Sequence, residues 1–139
     1  MVKNAKDLEF NSVSVGEFDP SNLVEDLNEE LIDQLSSLLV NGSLDLKPGE
    51  IFRYATLVKH PGWKKKAGSL DSEVLGRLIR LFTLGEKQYS EWIADDKSPV
   101  IIFVKELKSR GEFEPAINKW IKSNTSNKFL PHGSLMDLL

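Results

Sequence analysis

Few residues in this chain have the types and spacing that chemistry needs. There are two histidines, His60 in KHPGWKKK and His132 in FLPHGSL, each in a turn rich in Pro and Gly where a ring can reach a ligand. Brought together beside Asp71 or Asp137, they would make a general base or a two-histidine metal site. The spacing does not demand it: HxxxH and HExxH do not occur, and one histidine per turn is the ordinary pattern of surface residues. The acidic pairs Glu29–Glu30 and Asp95–Asp96 are sequence neighbours, whose side chains diverge on a helix, so neither supplies a carboxylate dyad. With no cysteine there is no thiol nucleophile, disulfide or cysteine zinc site. GxxxxGK and GxGxxG are missing too, and no cofactor is expected. Three Gly-Ser-Leu stretches, starting at Gly42, Gly68 and Gly133, read as turn punctuation. A nucleophile elbow would need glycine on both sides of the serine and a strand before it.

The stretch Lys59 to Lys66 is the most suggestive. Trp63 offers a flat stacking surface while Lys59, Lys64, Lys65 and Lys66 offer phosphate contacts, the combination that binds single-stranded nucleic acid. Arg110, Lys119, Lys122 and Lys128 would extend such a surface, and His60 and His132 complete the set of candidate binding residues. Two things oppose it. Trp63 can instead pack on the central helix with the lysines left in water, and the net charge is -3 with no named nucleic-acid motif. That net charge hides a division. Residues 1–50 carry three lysines and eleven acids, net -8, and residues 51–139 carry fifteen basic residues and ten acids, net +5. The acidic first helix is therefore expected to lie beside the basic remainder.

These residues must be positioned by helices. At about 100° per residue, Val74, Leu75, Leu78, Ile79, Leu81, Phe82, Tyr89, Trp92 and Ile93 share one broad face, which predicts a central helix over 72–93 capped by Asp71. Gly85 falls inside that apolar arc, where a missing side chain lets a neighbour approach closely; Leu84 misses it and is expected at the surface. Asp19 and Pro20 predict the start of an earlier helix, whose stripe of Leu23, Val24, Leu27, Leu31, Ile32, Leu35, Leu38 and Leu39 ends at Asn41 and Gly42. Pro48 and Glu50 open a second helix to Lys59, with Ile51, Ala55 and Val58 inward, Phe52 and Tyr54 flanking, and His60-Pro61 as its stop. A basic loop then leads to Asp71. After Ile93, ADDK is a polar connection. Ser98-Pro99 and Gly111 bracket a fourth helix to Arg110, despite the strand-like run Val100 to Val104. Glu114-Pro115 opens a fifth to about Ser123, with Phe113, Ile117, Trp120 and Ile121 inward. The apolar carboxyl-terminal residues, Phe129, Leu130, Leu135, Met136, Leu138 and Leu139, are expected to fold back and close the core, the other reading being an amphipathic segment shown to a partner.

The expected fold is all-α: a compact single domain of about five helices, residues 19–139, around the long central helix. Residues 1–18 are expected to be extended or disordered, with a marginal ribbon of Phe10 to Val15 against Ser43 to Leu46 as the weaker alternative. No apolar run reaches membrane-span length, so a cytoplasmic, soluble protein is expected. Function ranks in three classes: first a non-enzymatic module binding another protein, second a nucleic-acid accessory protein using the basic loop 59–66, third a hydrolase-like enzyme built on His60 and His132.

Overall fold

Helices begin here where a side chain or a proline deals with the unpaired amides of a first turn. In the computed structural model, which describes residues 25–133, α1 (Glu29–Ser36) is capped by Asn28, whose Oδ1 accepts from the Leu31 amide at 2.9 Å. α2 (Pro48–Val58) starts on its proline, and the Glu50 carboxylate accepts from the Lys47 amide at 3.0 Å. α3 (Trp63–Ala67) is a single short helix, and α4 (Ser72–Gln88) is capped by Asp71 accepting from the Val74 amide at 2.9 Å. Two 3-10 turns, Ser90–Trp92 and Asp95–Lys97, lead to α5 (Pro99–Ser109) and α6 (Pro115–Asn124). α5 closes on Gly111 at φ +72°: the Gly111 amide donates to Lys108 O and the Glu112 amide to Leu107 O at 2.8 Å, the paired bonds of a left-handed helix stop. The described residues are all-α, with one isolated bridge, Val40 to Ser43, as their only β-type pairing.

The middle element is α4, which touches α1, α5, α6 and the first 3-10 turn. Its Leu75, Leu78, Ile79, Leu81 and Phe82 are buried, as are Leu31, Ile32 and Leu35 of α1, Val100, Phe103, Val104 and Leu107 of α5, and Ile121 of α6, all in one core cluster. Four aromatic rings stand at its centre. Trp63 meets Phe103 edge-on at 5.1 Å and Phe82 at 5.8 Å between centroids, and Phe82 meets Trp92 at 5.7 Å.

Several expectations from the sequence change here. The central helix does not reach Ile93: Tyr89 is extended (φ -120°, ψ 118°), and Trp92 regains the buried face by way of a 3-10 turn. Gly85 does permit a close approach, though the neighbour is the chain's own next turn rather than another helix. A Cβ there would overlap the edge of the Trp92 ring at Cε3 and Cζ3, which the Trp92 Nε1–H bond to Ile51 O, 3.0 Å long, holds in place. The earlier helix is also shorter than expected. Glu25 to Asn28 are not helical, α1 stops at Ser36, and Asn41 and Gly42 (φ +52° and +79°) form a tight two-residue turn between Val40 and Ser43. Asn28 supplies the cap; the expected start at Asp19 and Pro20, with Leu23 and Val24, lies outside the described residues. Ser43 pairs with Val40, and the expected partner strand Phe10 to Val15 lies outside the described residues. The basic loop contains a helix, α3, and the polar connection ADDK contains a 3-10 turn. Leu84 is half-buried, and of the four residues expected inward around α6 only Ile121 is buried, Phe113, Ile117 and Trp120 being half-buried. Leu130 is buried and Phe129 half-buried; Leu135, Met136, Leu138 and Leu139 lie outside the described residues, as does Asp137.

Candidate functional site

The basic stretch after α2 is shaped by His60 and Trp63. The Gly62 amide donates to His60 Nδ1 at 2.9 Å; since an amide can only donate, the ring proton sits on Nε2, which donates to Glu25 O at 2.8 Å. Both ring nitrogens are thus used in tying the turn to the segment before α1. Trp63 is wholly buried, and its Nε1–H donates to Leu57 O at 2.7 Å. It has no face open to a base, so the stacking half of the nucleic-acid reading has no surface to work on.

The lysines keep their exposure. Lys59, at the end of α2, and Lys64 and Lys65, on the outer side of α3, are exposed, and Lys66 is half-buried. Lys65 and Lys66 share an open hollow of about 600 Å³ with His60, Asp26 and Glu29, so its charge is mixed. Lys119, Lys122 and Lys128 are exposed, Lys122 and Lys128 lining a separate hollow of about 280 Å³. Arg110 belongs to the scaffold. It donates to Leu70 O at 2.6 Å, to Ala67 O at 3.2 Å and to Ser72 Oγ at 3.0 Å, three acceptors that fasten the end of α5 to the α3–α4 junction, and to Glu106 Oε2 of its own helix at 2.8 Å.

The two histidines are not brought to one site. His132 stands 2.7 Å from Lys108 Nζ and edge-on to Phe113, whereas His60 faces Gly62 and Glu25, and these neighbours are not shared. Asp71, proposed as their partner, is spent as the cap of α4. Among the described residues no group of three or more His, Asp or Glu side chains is placed to hold a metal ion. No described helix is long and apolar enough to cross a membrane.

Two features escaped the sequence reading. Glu86, in the buried stripe of α4, is 5% exposed and accepts from the Ala94 amide at 2.9 Å, the Asp95 amide at 3.2 Å and Asn127 Nδ2 at 3.0 and 3.1 Å. A carboxylate one turn beyond Phe82 in an apolar arc was a readable signal; its partners were not. The other is at the surface, where Val40 (61% exposed), Phe52 (62%) and Ile93 (49%) are large apolar side chains left in water, the last two next in sequence to the partners of the Trp92–Ile51 bond that joins α2 to the first 3-10 turn. Packing the interior strands those last two outside.

Comparison with known proteins finds no family model that matches this chain, no similar curated protein and no similar solved structure.

Proposed function

We propose that this chain is a non-enzymatic, cytoplasmic helical module that binds another protein through the face carrying Phe52 and Ile93. The supporting observation is the pair itself. Single exposed apolar residues are normal, but these two large ones each adjoin in sequence one partner of a single inter-element hydrogen bond. Fully covering a side chain of this size yields roughly 1.5–3 kcal/mol, and with each of these about half covered already, a partner that buries both gains roughly 2–3 kcal/mol at no cost to the fold. Because both side chains already lie outside the core, replacing them leaves the interior intact. The test is chemical cross-linking and affinity capture with the native chain and with Phe52→Asp/Ile93→Asp, the two having matching thermal melts. A partner held by the native chain and lost by the double variant supports this face; partners held equally by both would remove it.

A second reading, a nucleic-acid accessory protein, draws on the exposed lysines of α3. Its support is Lys64 and Lys65 on the outer side of a helix whose inner side is anchored by Trp63. Without an exposed ring it rests on phosphate contacts alone, which are sequence-independent and fall steeply with salt. Salt-sensitive binding of labelled single-stranded RNA that is lost in Lys64→Glu/Lys65→Glu would support it, and unchanged binding in that variant would remove it.

A further inference from the structure

A groove of about 380 Å³ runs between α3 and α5, and its walls are fixed at both ends. At one end Trp63 is tied to Leu57 O and packed edge-on against Phe103 of α5. At the other, Arg110 bonds the carbonyls of Ala67 and Leu70. A groove held in this way is preformed, and a ligand need not order it. Its floor is aliphatic: Ala67, Ile101 and Ile102. Its rim is basic, with Lys64 on α3 and Lys105 on α5 both exposed. Glu106 also lines the groove, but its carboxylate is committed to Arg110 Nε at 2.8 Å. The uncompensated charge facing an incoming ligand is therefore positive.

We propose that this groove binds a short acidic amphipathic segment of a partner protein, with apolar side chains on the isoleucine floor and carboxylates at Lys64 and Lys105. The dimensions suit it. Ile101, Lys105 and Ser109 are four residues apart in succession, so the α5 wall is about 12 Å long, roughly two turns of a docked helix. The aliphatic floor selects a peptide over a nucleic acid, because the one tryptophan nearby lies behind the wall and offers nothing to stack on. The chain itself supplies a rival. Gly133 lies against Ile101, and the residues that follow read SLMDLL. That hexapeptide brings Asp137 as its one acidic side chain, and the truncated chain in the test below tells it apart from a partner segment. The groove is separate from the Phe52 face, neither Phe52 nor Ile93 lining it, so either site can fail alone.

The test uses the full chain and a fluorescein-labelled synthetic peptide of about twelve residues, leucines at i and i+4 flanked by glutamates to match the groove. Fluorescence anisotropy should show binding that weakens about tenfold or more in Lys64→Glu/Lys105→Glu and recovers when the peptide's glutamates are exchanged for lysines, as complementary charge requires. That recovery separates a lost contact from a lost fold. No binding, or equal binding to the native and variant chains, would overturn the proposal. So would binding only by a chain ending at Gly133, which assigns the groove to the chain's own terminus. A labelled single-stranded RNA that binds more tightly than the peptide, and loses binding in the same variant, would replace it with the nucleic-acid reading.

Discussion

Glu86 is the residue whose surroundings constrain it most. A carboxylate removed from water is costly unless its oxygens are met by donors, and here backbone amides of Ala94 and Asp95 and the side-chain amide of Asn127 all converge on it. Asn127 Nδ2 also donates to Asp95 O at 2.8 Å, so one amide group closes the ring between α4, the second 3-10 turn and the segment after α6. Glu86→Gln turns one acceptor into a donor facing other donors. It should destabilise the chain by about 2–4 kcal/mol in urea unfolding, with Asn127→Ala costing about 1–3 kcal/mol and the double variant less than the sum. Additive losses would mean that the two residues act separately. Residue types show through the sequence at such points more readily than partners do: Glu86 interrupts an apolar arc, but nothing local marks a residue 41 positions further on as its donor.

At the scale of elements, caps and prolines were legible because their chemistry is local. Ser98-Pro99 and Gly111 mark α5 in the sequence and bound it in the structure, even across the strand-like run Val100 to Val104. The boundary at Tyr89 was not legible, since an extended residue followed by a 3-10 turn returns Trp92 to the same face a continued helix would have given it. α3 was hidden for a different reason: its inward residues, Trp63 and Ala67, are only two, one turn apart, which is too few to show a period. Phe52 flanks the inward positions of α2, and only the tertiary arrangement decides that it lies outside while Tyr54 lies inside. Gly85 carries a sharp expectation. Alanine favours a helix over glycine by roughly 1 kcal/mol, yet here its methyl would overlap the edge of an anchored indole ring. Gly85→Ala should therefore be net destabilising by about 2 kcal/mol in chemical unfolding, whereas at the half-buried Gly76, where the nearest foreign atom to a Cβ is the end of Arg80 at 3.7 Å, the same change should stabilise. A stabilised Gly85→Ala would show that Trp92 is free to move.

Over the whole molecule the acidic and basic parts of the chain do meet. Asp26 and Glu29 share a hollow with Lys65 and Lys66, and Arg53 of α2 grips the Glu25 carboxylate with two bonds of 2.8 and 2.7 Å. That hydrogen bonding, helped by the arginine's charge, holds the Glu25 carboxyl below its ordinary value against the opposing effect of burial. A lowered carboxyl stabilises the fold at neutral pH and stops doing so as pH falls through the range where it becomes protonated. With side chains 44% and 42% exposed, the pair contributes only about 0.5 kcal/mol. The difference in stability between the native chain and Arg53→Ala should therefore be small at pH 7, shrink in high salt, and vanish at low pH. A difference that survives acid would assign Arg53 a packing role instead. The same arrangement of elements has sorted the three tryptophans by environment. Trp63 and Trp92 are sealed in the core, while Trp120 is half-buried on α6 with the Arg80 guanidinium 5.7 Å from its ring centre. On the long-wavelength side of its emission such a molecule reports mainly Trp120, the tryptophan in contact with water, and a water-soluble quencher dims that light first. The fold thus carries its own two-channel optical reporter, one channel for the interior and one for the α6 surface.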